Sequence, residues 1–554
     1  MEFNVIGQVA ALAAALYVLR KAQIRLRLSR AKHPSLRGHS KLSRRIAKLV
    51  PMVEYSEAQF FRSDGAPEPI QTQRRAAFEQ LAQRLQEKAP KSIAASEALE
   101  STISDVRFTN AYRVPFQYRS IVRERLRLGT LVEATDGVRV RDLDGNWSYD
   151  LSGSYGVNVF GYDFYKECMR EGLDQTRDLG PVLGPYHPVI ADNVKRLTSI
   201  SGMDEVSFHM SGTEAVMQAV RLARYHTGRS HLVRFCGAYH GWWDGVQPGI
   251  GNQREINDVY TLKDMDADTL LVLRTRKDIA CVLINPLQAL HPNADAASDA
   301  TLVNSERSAR FDYETYTKWL RTLREVCTGR GIVLIFDEVF VGFRLAPGGA
   351  QEFYDVKADM VTYGKTLGGG LPLGVVCGKR HLMKRFREDR PTDLCFARGT
   401  FNSHPMVMGA MNAFLRRLDD PAIRQGYQDS EAIWNRRAAD LNQRLQEADL
   451  PVAVANLCSI WTVTYSLPSR YNWMLQYYLR DHGLMLSWIG TGRFIFSHDY
   501  SDEDFEAVCR RFIEAARSMK TDGWWWQGGG LTNKSIKRQV LKEFIETRFR
   551  RRVA

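Results

Sequence analysis

Between Gly202 and Gly378 the chain alternates between two periods. Six short runs are apolar at nearly every position: Val206–His209, Leu232–Phe235, Cys281–Ile284, Ile332–Phe336, Met360–Tyr363 and Val375–Cys377. Between them, Glu214–His226 and Tyr313–Thr328 repeat at helical spacing. Runs of strand length without alternation predict strands buried on both faces. Their alternation with helices predicts an α/β fold around a mostly parallel sheet. Upstream, Val132–Leu151 alternates polar and apolar residues and carries Asp144-Gly145, a hairpin-turn signal. Thr72–Lys88 predicts a polar helix, and Ala89–Ser104 reads as a low-complexity link. Beyond about Ala410, helical and strand patterns mix through Met519, as expected of a smaller α+β domain.

The ends differ from this body. Phe3–Leu19 is apolar apart from Asn4 and Gln8, and eleven basic residues with no acid follow between Arg20 and Lys48. The chain has 554 residues and a net charge of +13. The first fifty residues carry +10 and Thr532–Ala554 carries +6, which leaves the body at −3. A mildly acidic body argues against nucleic acid as a partner and gives the basic ends a task of their own. An apolar run followed by positive charge predicts a membrane anchor with the catalytic body on the cytoplasmic side. An interfacial helix, a docking helix and a mitochondrial presequence remain as alternatives. Trp524, Trp525 and Trp526, then Gly528–Gly530, then a basic amphipathic stretch predict a second contact with membrane lipid, or a helix docked on the body. The expected divisions are 1–50, 51–130, 131–410 (with a hairpin segment at 131–175), 411–520 and 521–554. Eight cysteines without a CxxC pair read as buried free thiols, and twelve scattered histidines give no metal-ligand spacing.

In a parallel sheet, ligands gather beyond the C-terminal strand ends. Val206–His209 is followed by Ser211-Gly212-Thr213 at the start of a helix, either an anion site or an ordinary cap. Leu232–Phe235 is followed by Tyr239 and His240 among glycines, suited to packing or to lying flat on a planar ring. Ile332–Phe336 ends in Asp337, a carboxylate at a core edge that needs a partner: a cation, a helix end or a protonated ring nitrogen. Met360–Tyr363 is followed by Lys365 in Gly364-Lys365-Thr366-Leu367-Gly368-Gly369-Gly370, where a lysine can have a lowered pKa and form an imine. Phosphate cradle, flat aromatic, ring-nitrogen acid and amine nucleophile together match what pyridoxal 5'-phosphate requires.

The segments SGTEAVMQAVRLAR, GAYHGWWDG, IFDEVFVGFR, YGKTLGGGLPLG and RGTFNSHPM resemble class III aminotransferases, most closely the glutamate-1-semialdehyde aminomutase branch, from about Val132 to Ala516. The resemblance implies a fold-type I enzyme with pyridoxal 5'-phosphate as cofactor. It implies that Lys365 holds the cofactor and moves the proton, and that Asp337 faces the pyridine nitrogen. It implies that Ser211, Gly212 and Thr213 bind the phosphate. Tyr239 stacks on the ring beside His240, and Gln288 lies near the ring hydroxyl. Thr400 reaches the phosphate of a neighbouring subunit, which implies a homodimer with composite sites. Tyr155, Arg344 and Arg398 are candidate substrate residues, each with an ordinary structural alternative.

One departure stands out. The family's Glu-Pro pair at the end of the Cys281 strand is Asn285-Pro286 here, so a carboxylate is missing from the substrate region. The expected activity is amino transfer from an amino donor to an aldehyde or ketone that is amphiphilic, long-chain or carrier-bound. The Arg-rich segment Tyr112–Leu128 is a candidate for shaping its entrance. An aminomutase is the alternative within the class. An idle fold serving as a membrane-bound scaffold is the alternative outside it.

Overall fold

The computed structural model describes residues 2–293, 309–487 and 492–553, except for the side chains of residues 2–7, 37 and 550–553. Its centre is a seven-stranded sheet. The strands are β1 (Glu205–His209), β2 (His231–Phe235), β3 (Val259–Leu262), β4 (Ile279–Ile284), β5 (Val333–Asp337), β6 (Met360–Gly364) and β7 (Gly374–Gly378). Their order is β1-β7-β6-β5-β4-β2-β3. All neighbours run parallel except β7, which is antiparallel to both β1 and β6. Every residue of β4, β5, β6 and β7 is buried. The six predicted runs lie on strands apart from Ile332, which precedes β5 by one residue; β3 is the strand that their pattern missed.

The C-terminal part has a three-stranded antiparallel sheet, Val452–Leu457, Ile460–Tyr465 and Arg493–Ile495, flanked by helices Pro421–Glu447 and Asp502–Thr521. The predicted hairpin forms from Arg139–Asp142 and Trp147–Asp150, with Val132–Asp136 as a third strand. Its partner is Leu484–Met485, which adds in parallel to Trp147–Asp150. The hairpin therefore shares a four-stranded sheet with Leu484–Met485 and has no ladder to the central sheet.

Two expectations about the extension change. Ala89–Ser104 is no link: Pro90–Glu100 is a helix. Proline suits a first helical position. The Asp144 carboxylate, from the hairpin turn, accepts the free N–H groups of Lys91 at 2.9 Å and Ser92 at 2.8 Å. The cap comes from residues remote in sequence, so the local composition could not show it.

The tryptophan triplet is also corrected. Trp524 and Trp525 are buried, their indole N–H groups donating to the Tyr478 hydroxyl and to Asn472 Oδ1, each at 2.8 Å. They are core residues and not a membrane belt. The C-terminal helix Asn533–Val553 docks on the body: Ile536 is fully buried, Phe544 stacks on Phe116, and Glu543 pairs with buried Arg470 at 2.8 Å. The Arg550–Arg552 side chains lie outside the described residues.

The first helix runs from Glu2 to Ala31, so the apolar run and the start of the basic flank are continuous. Val9, Leu12, Leu16, Val18 and Leu19 are exposed on it. Among the described residues, no helix is long and apolar enough to cross a membrane. The start of the Phe3–Leu19 run lies outside the residues whose side chains are described.

Candidate active site

A cavity of about 920 Å³ opens at the C-terminal ends of β1, β2, β4, β5 and β6. Tyr155, Ser211, Gly212, Thr213, Tyr239, His240, Gln288, Asp337 and Lys365 all line it. Nine of the twelve predicted site residues are therefore brought together from segments spread over more than two hundred positions.

Ser211 caps the helix Gly212–Thr227, its hydroxyl accepting the Glu214 N–H at 3.3 Å, while Glu214 Oε2 accepts the Met210 N–H at 3.0 Å. A helix start leaves further N–H groups without intrahelical acceptors. Those of Gly212 and Thr213 lie on residues that line the cavity. A Cβ on Gly212 would sit 2.6 Å from Val339 Cγ1. Gly241 has φ +90°, and a Cβ there would meet Thr213 Oγ1 at 2.5 Å. Glycine is thus what lets the turn after β2 close on the helix start. The result is a cradle of N–H groups, hydroxyls and a helix dipole that fits a phosphate.

Asp337 ends β5 and is 3% exposed. His240 Nδ1 lies 2.7 Å from its Oδ2, with the ring N–H donating to the carboxylate. The Thr362 hydroxyl donates to Oδ1 at 3.3 Å and the Val339 N–H at 3.2 Å. Burial pushes the His240 pKa down, against the pull of Asp337. His240 Nε2 is buried without a partner among the described residues. Tyr239 is 62% exposed at the cavity mouth, its hydroxyl pKa raised first by burial and then by Asp337.

Lys365 follows β6 with a left-handed backbone, φ +50°. Such strain in a non-glycine residue is concentrated at functional sites. Facing it, Ser154 and Tyr155 also have positive φ, and the Tyr155 carbonyl accepts a hydrogen bond from Lys365 Nζ. Nζ lies 4.9 Å from the centre of the Phe340 ring. Burial lowers the Lys365 pKa to about 8; Asp337 opposes the shift, and Arg344 and Arg493 add to it. A phosphate cradle, a buried carboxylate and a lysine of depressed pKa in one cavity fit pyridoxal phosphate at its phosphate, its ring nitrogen and its aldehyde.

Three predicted residues lie elsewhere. Arg344 is fully buried, and its guanidinium donates to the carbonyls of Phe496 at 2.6 Å and Asn158 at 2.9 Å and to the Ser459 hydroxyl at 3.0 Å. It ties the two domains together and does not line the cavity. Arg398 is on the surface, donating to the Gly184 carbonyl at 3.2 Å. Thr400 is exposed two residues further on. Gln288 lines the cavity, with its amide nitrogen donating to the Cys236 carbonyl. Sequence reasoning missed Phe340 and Arg493. Phe340 was legible, three residues after Asp337 in the quoted motif. Arg493 comes from the C-terminal domain and had no local signal. All eight cysteines are free and buried, as expected.

The sequence matches the family Aminotransferase class-III over residues 121–516. It is 30% identical over 424 residues to the glutamate-1-semialdehyde 2,1-aminomutase of Syntrophus aciditrophicus, covering 70% of this chain and 90% of that one. The same-named protein of Methanocaldococcus jannaschii is 30% identical over 352 residues, covering 60% and 76%. Among solved structures, a transaminase with PLP bound matches with a TM-score of 0.59 and 26% identity, over 72% of this chain and 92% of its own. The β-phenylalanine aminotransferase of Variovorax paradoxus shares the fold, with a TM-score of 0.65 at 20% identity over 81% and 98%. Since the family match takes in every residue of the cavity that fits the cofactor, this chain belongs to the class III aminotransferases, the fold-type I enzymes that work with pyridoxal 5'-phosphate.

Proposed function

We propose that the protein transfers an amino group from an amino donor to an aldehyde or ketone, with Lys365 holding the cofactor and moving the proton. The observation that carries this reading is the Lys365 amine, held in the cavity with its pKa lowered to about 8. With a pKa of about 8 a sizeable share of the amine is free at mildly basic pH, and the free amine both attacks an aldehyde and accepts a proton. When bound, pyridoxal phosphate supplies an electron sink. Asp337, oriented by His240 and Thr362, keeps the ring nitrogen protonated. Ser211, Gly212 and Thr213 take the phosphate, Tyr239 covers the ring, and Gln288 borders its hydroxyl edge. Thr400 serves a second copy in a homodimer. In support, Thr400 lies between Phe396 and Phe401, two exposed aromatics that a partner would bury.

The acceptor in this reading is amphiphilic, long-chain or carrier-bound. Asn285 stands where the family carries glutamate, and its Oδ1 accepts the Leu287 N–H at 3.1 Å, so that residue offers no carboxylate to a charged acceptor. The exposed apolar residues of the first helix, followed by its basic flank, support attachment to a membrane surface. A second reading, an aminomutase that moves the amino group within one molecule, is supported by the names of the relatives at 30% identity.

The absorbance spectrum of the purified protein, taken with a panel of amines and amino acids, tests the proposal. The expected result is a Schiff-base band that one donor removes and one acceptor restores, and that is absent in Lys365→Ala. A band unmoved by any donor but responsive to a single amino aldehyde selects the aminomutase. No band with added cofactor overturns both readings and leaves the scaffold.

A further inference from the structure

The two basic ends of the chain meet in space. The Arg548 guanidinium donates to the Leu49 carbonyl at 2.6 Å, across 499 positions of sequence. Both segments lie outside residues 121–516, where the family match runs. The terminal helix Asn533–Val553 is apolar on two sides. Ile536 and Phe544 face the body, and Glu543 turns inward with them to pair with Arg470. Leu541, Ile545 and Phe549 are 57%, 47% and 61% exposed. At i, i+4 and i+8 they form one outward row. A helix that is apolar on opposite sides is normally covered on both. The row starts from exposed Lys534 and Arg538 and ends beside Leu49 and Val50, which are exposed too.

Leu49 and Val50 follow the short helix Ser40–Ala47. That helix is fixed to the body by Arg44, which donates to the carbonyls of Asn252, Gln253 and Arg254. Its Arg45 and the adjoining Lys48 are exposed. Arg45, Lys48, Lys534 and Arg538 make no ion pair among the described residues. Glu546 faces outward as well, 3.7 Å from Lys542. The surface thus joins an exposed apolar row to cations that lack a counter-charge. A polyphosphate would satisfy the cations and leave the apolar row in water. A second copy meeting this face with its own would set like charges against each other. An anionic bilayer meets both needs: the row enters the acyl boundary, and the cations meet the headgroups.

We propose that the terminal helix and residues 40–50 form one face that lies on a bilayer of anionic lipid. The face adds to the first helix and fixes which side of the body is turned to the membrane. This rests on the reading that the protein attaches to a membrane surface, and it names the lipid class and a second point of contact. By itself the face is a weak, reversible contact, because stable anchoring takes two signals.

The test is sedimentation of the full, cofactor-loaded chain with phosphatidylcholine vesicles, made with and without phosphatidylserine. The variant Leu541→Asp, Ile545→Asp alters exposed side chains and keeps the inward contacts of the helix. It should bind the phosphatidylserine vesicles about tenfold or more weakly than the unsubstituted chain, since two apolar side chains lose their burial. The variant Lys48→Gln, Arg538→Gln should lose part of the preference for phosphatidylserine and bind phosphatidylcholine alone as before. Equal binding by the unsubstituted chain and both variants overturns the proposal. So does a smaller oligomer of Leu541→Asp, Ile545→Asp in the absence of lipid, which would place a second copy on the face. The two failures are separable: a full chain that sediments no better than its variants sinks the face alone, and a full chain that stays in solution sinks the attachment as a whole.

Discussion

Lys365 owes its chemistry to where its amine is held. Burial disfavours the ammonium form and moves the pKa from 10.5 to about 8, with Asp337 resisting. Below about pH 8 the amine is protonated and cannot attack an aldehyde; above it the amine is free. The rate at which protein stripped of cofactor recaptures it, followed by absorbance, should therefore rise with a midpoint near pH 8 and level off above. A rate still climbing at pH 10 would show an ordinary solvated lysine. The lysine itself was legible as chemistry, because glycines on both sides of a strand-end lysine are unlike a solvated surface. Arg344 was misread for the opposite reason. An arginine in a family motif looks the same whether it meets a substrate or four protein oxygens, and only packing shows that its two terminal nitrogens are already taken.

The helix Gly212–Thr227 and the turn that closes on it form one device. Gly228 ends the helix with φ +63° and nothing within 4 Å of an added Cβ. Gly241 has φ +90° and Thr213 in the way. Alanine at either position costs about 1–2 kcal/mol in backbone strain. Gly241→Ala must also displace Thr213 from the cradle. By thermal melting Gly241→Ala should lose at least as much stability as Gly228→Ala, and it alone should bind pyridoxal phosphate about tenfold or more weakly by fluorescence titration. Equal affinity in the two would place the phosphate elsewhere. Strands and helices of the central domain were readable because each is long enough for its own period to show. Strand β3 and the helix Pro90–Glu100 were not: the first is only four residues long, and the second is capped by a remote carboxylate.

At the scale of the molecule, the two ends part company. The C-terminal helix is docked on the body, whereas the first helix presents Leu12, Leu16 and Leu19 to solvent next to its basic flank. Vesicles containing phosphatidylserine should pull down the full chain, more weakly as salt rises, because the basic flank contributes. A Leu12→Asp, Leu16→Asp variant should stay in the supernatant with its cofactor spectrum unchanged. Full-chain protein left in solution at low salt would sink the attachment.

What the sequence alone determined is the order of the parts. Apolar runs of strand length, separated by helical periods, dictate a buried parallel sheet, and the residues after each run carry the cofactor chemistry. Hydrophobic period and strand-end chemistry are local properties, so they survive in one dimension. Tertiary structure alone decided which residues share a space. It placed Arg344 in the core, joined the hairpin to Leu484–Met485, and buried Trp524 and Trp525. Burial and counter-charge depend on segments hundreds of residues apart, and no local pattern encodes which of them will meet.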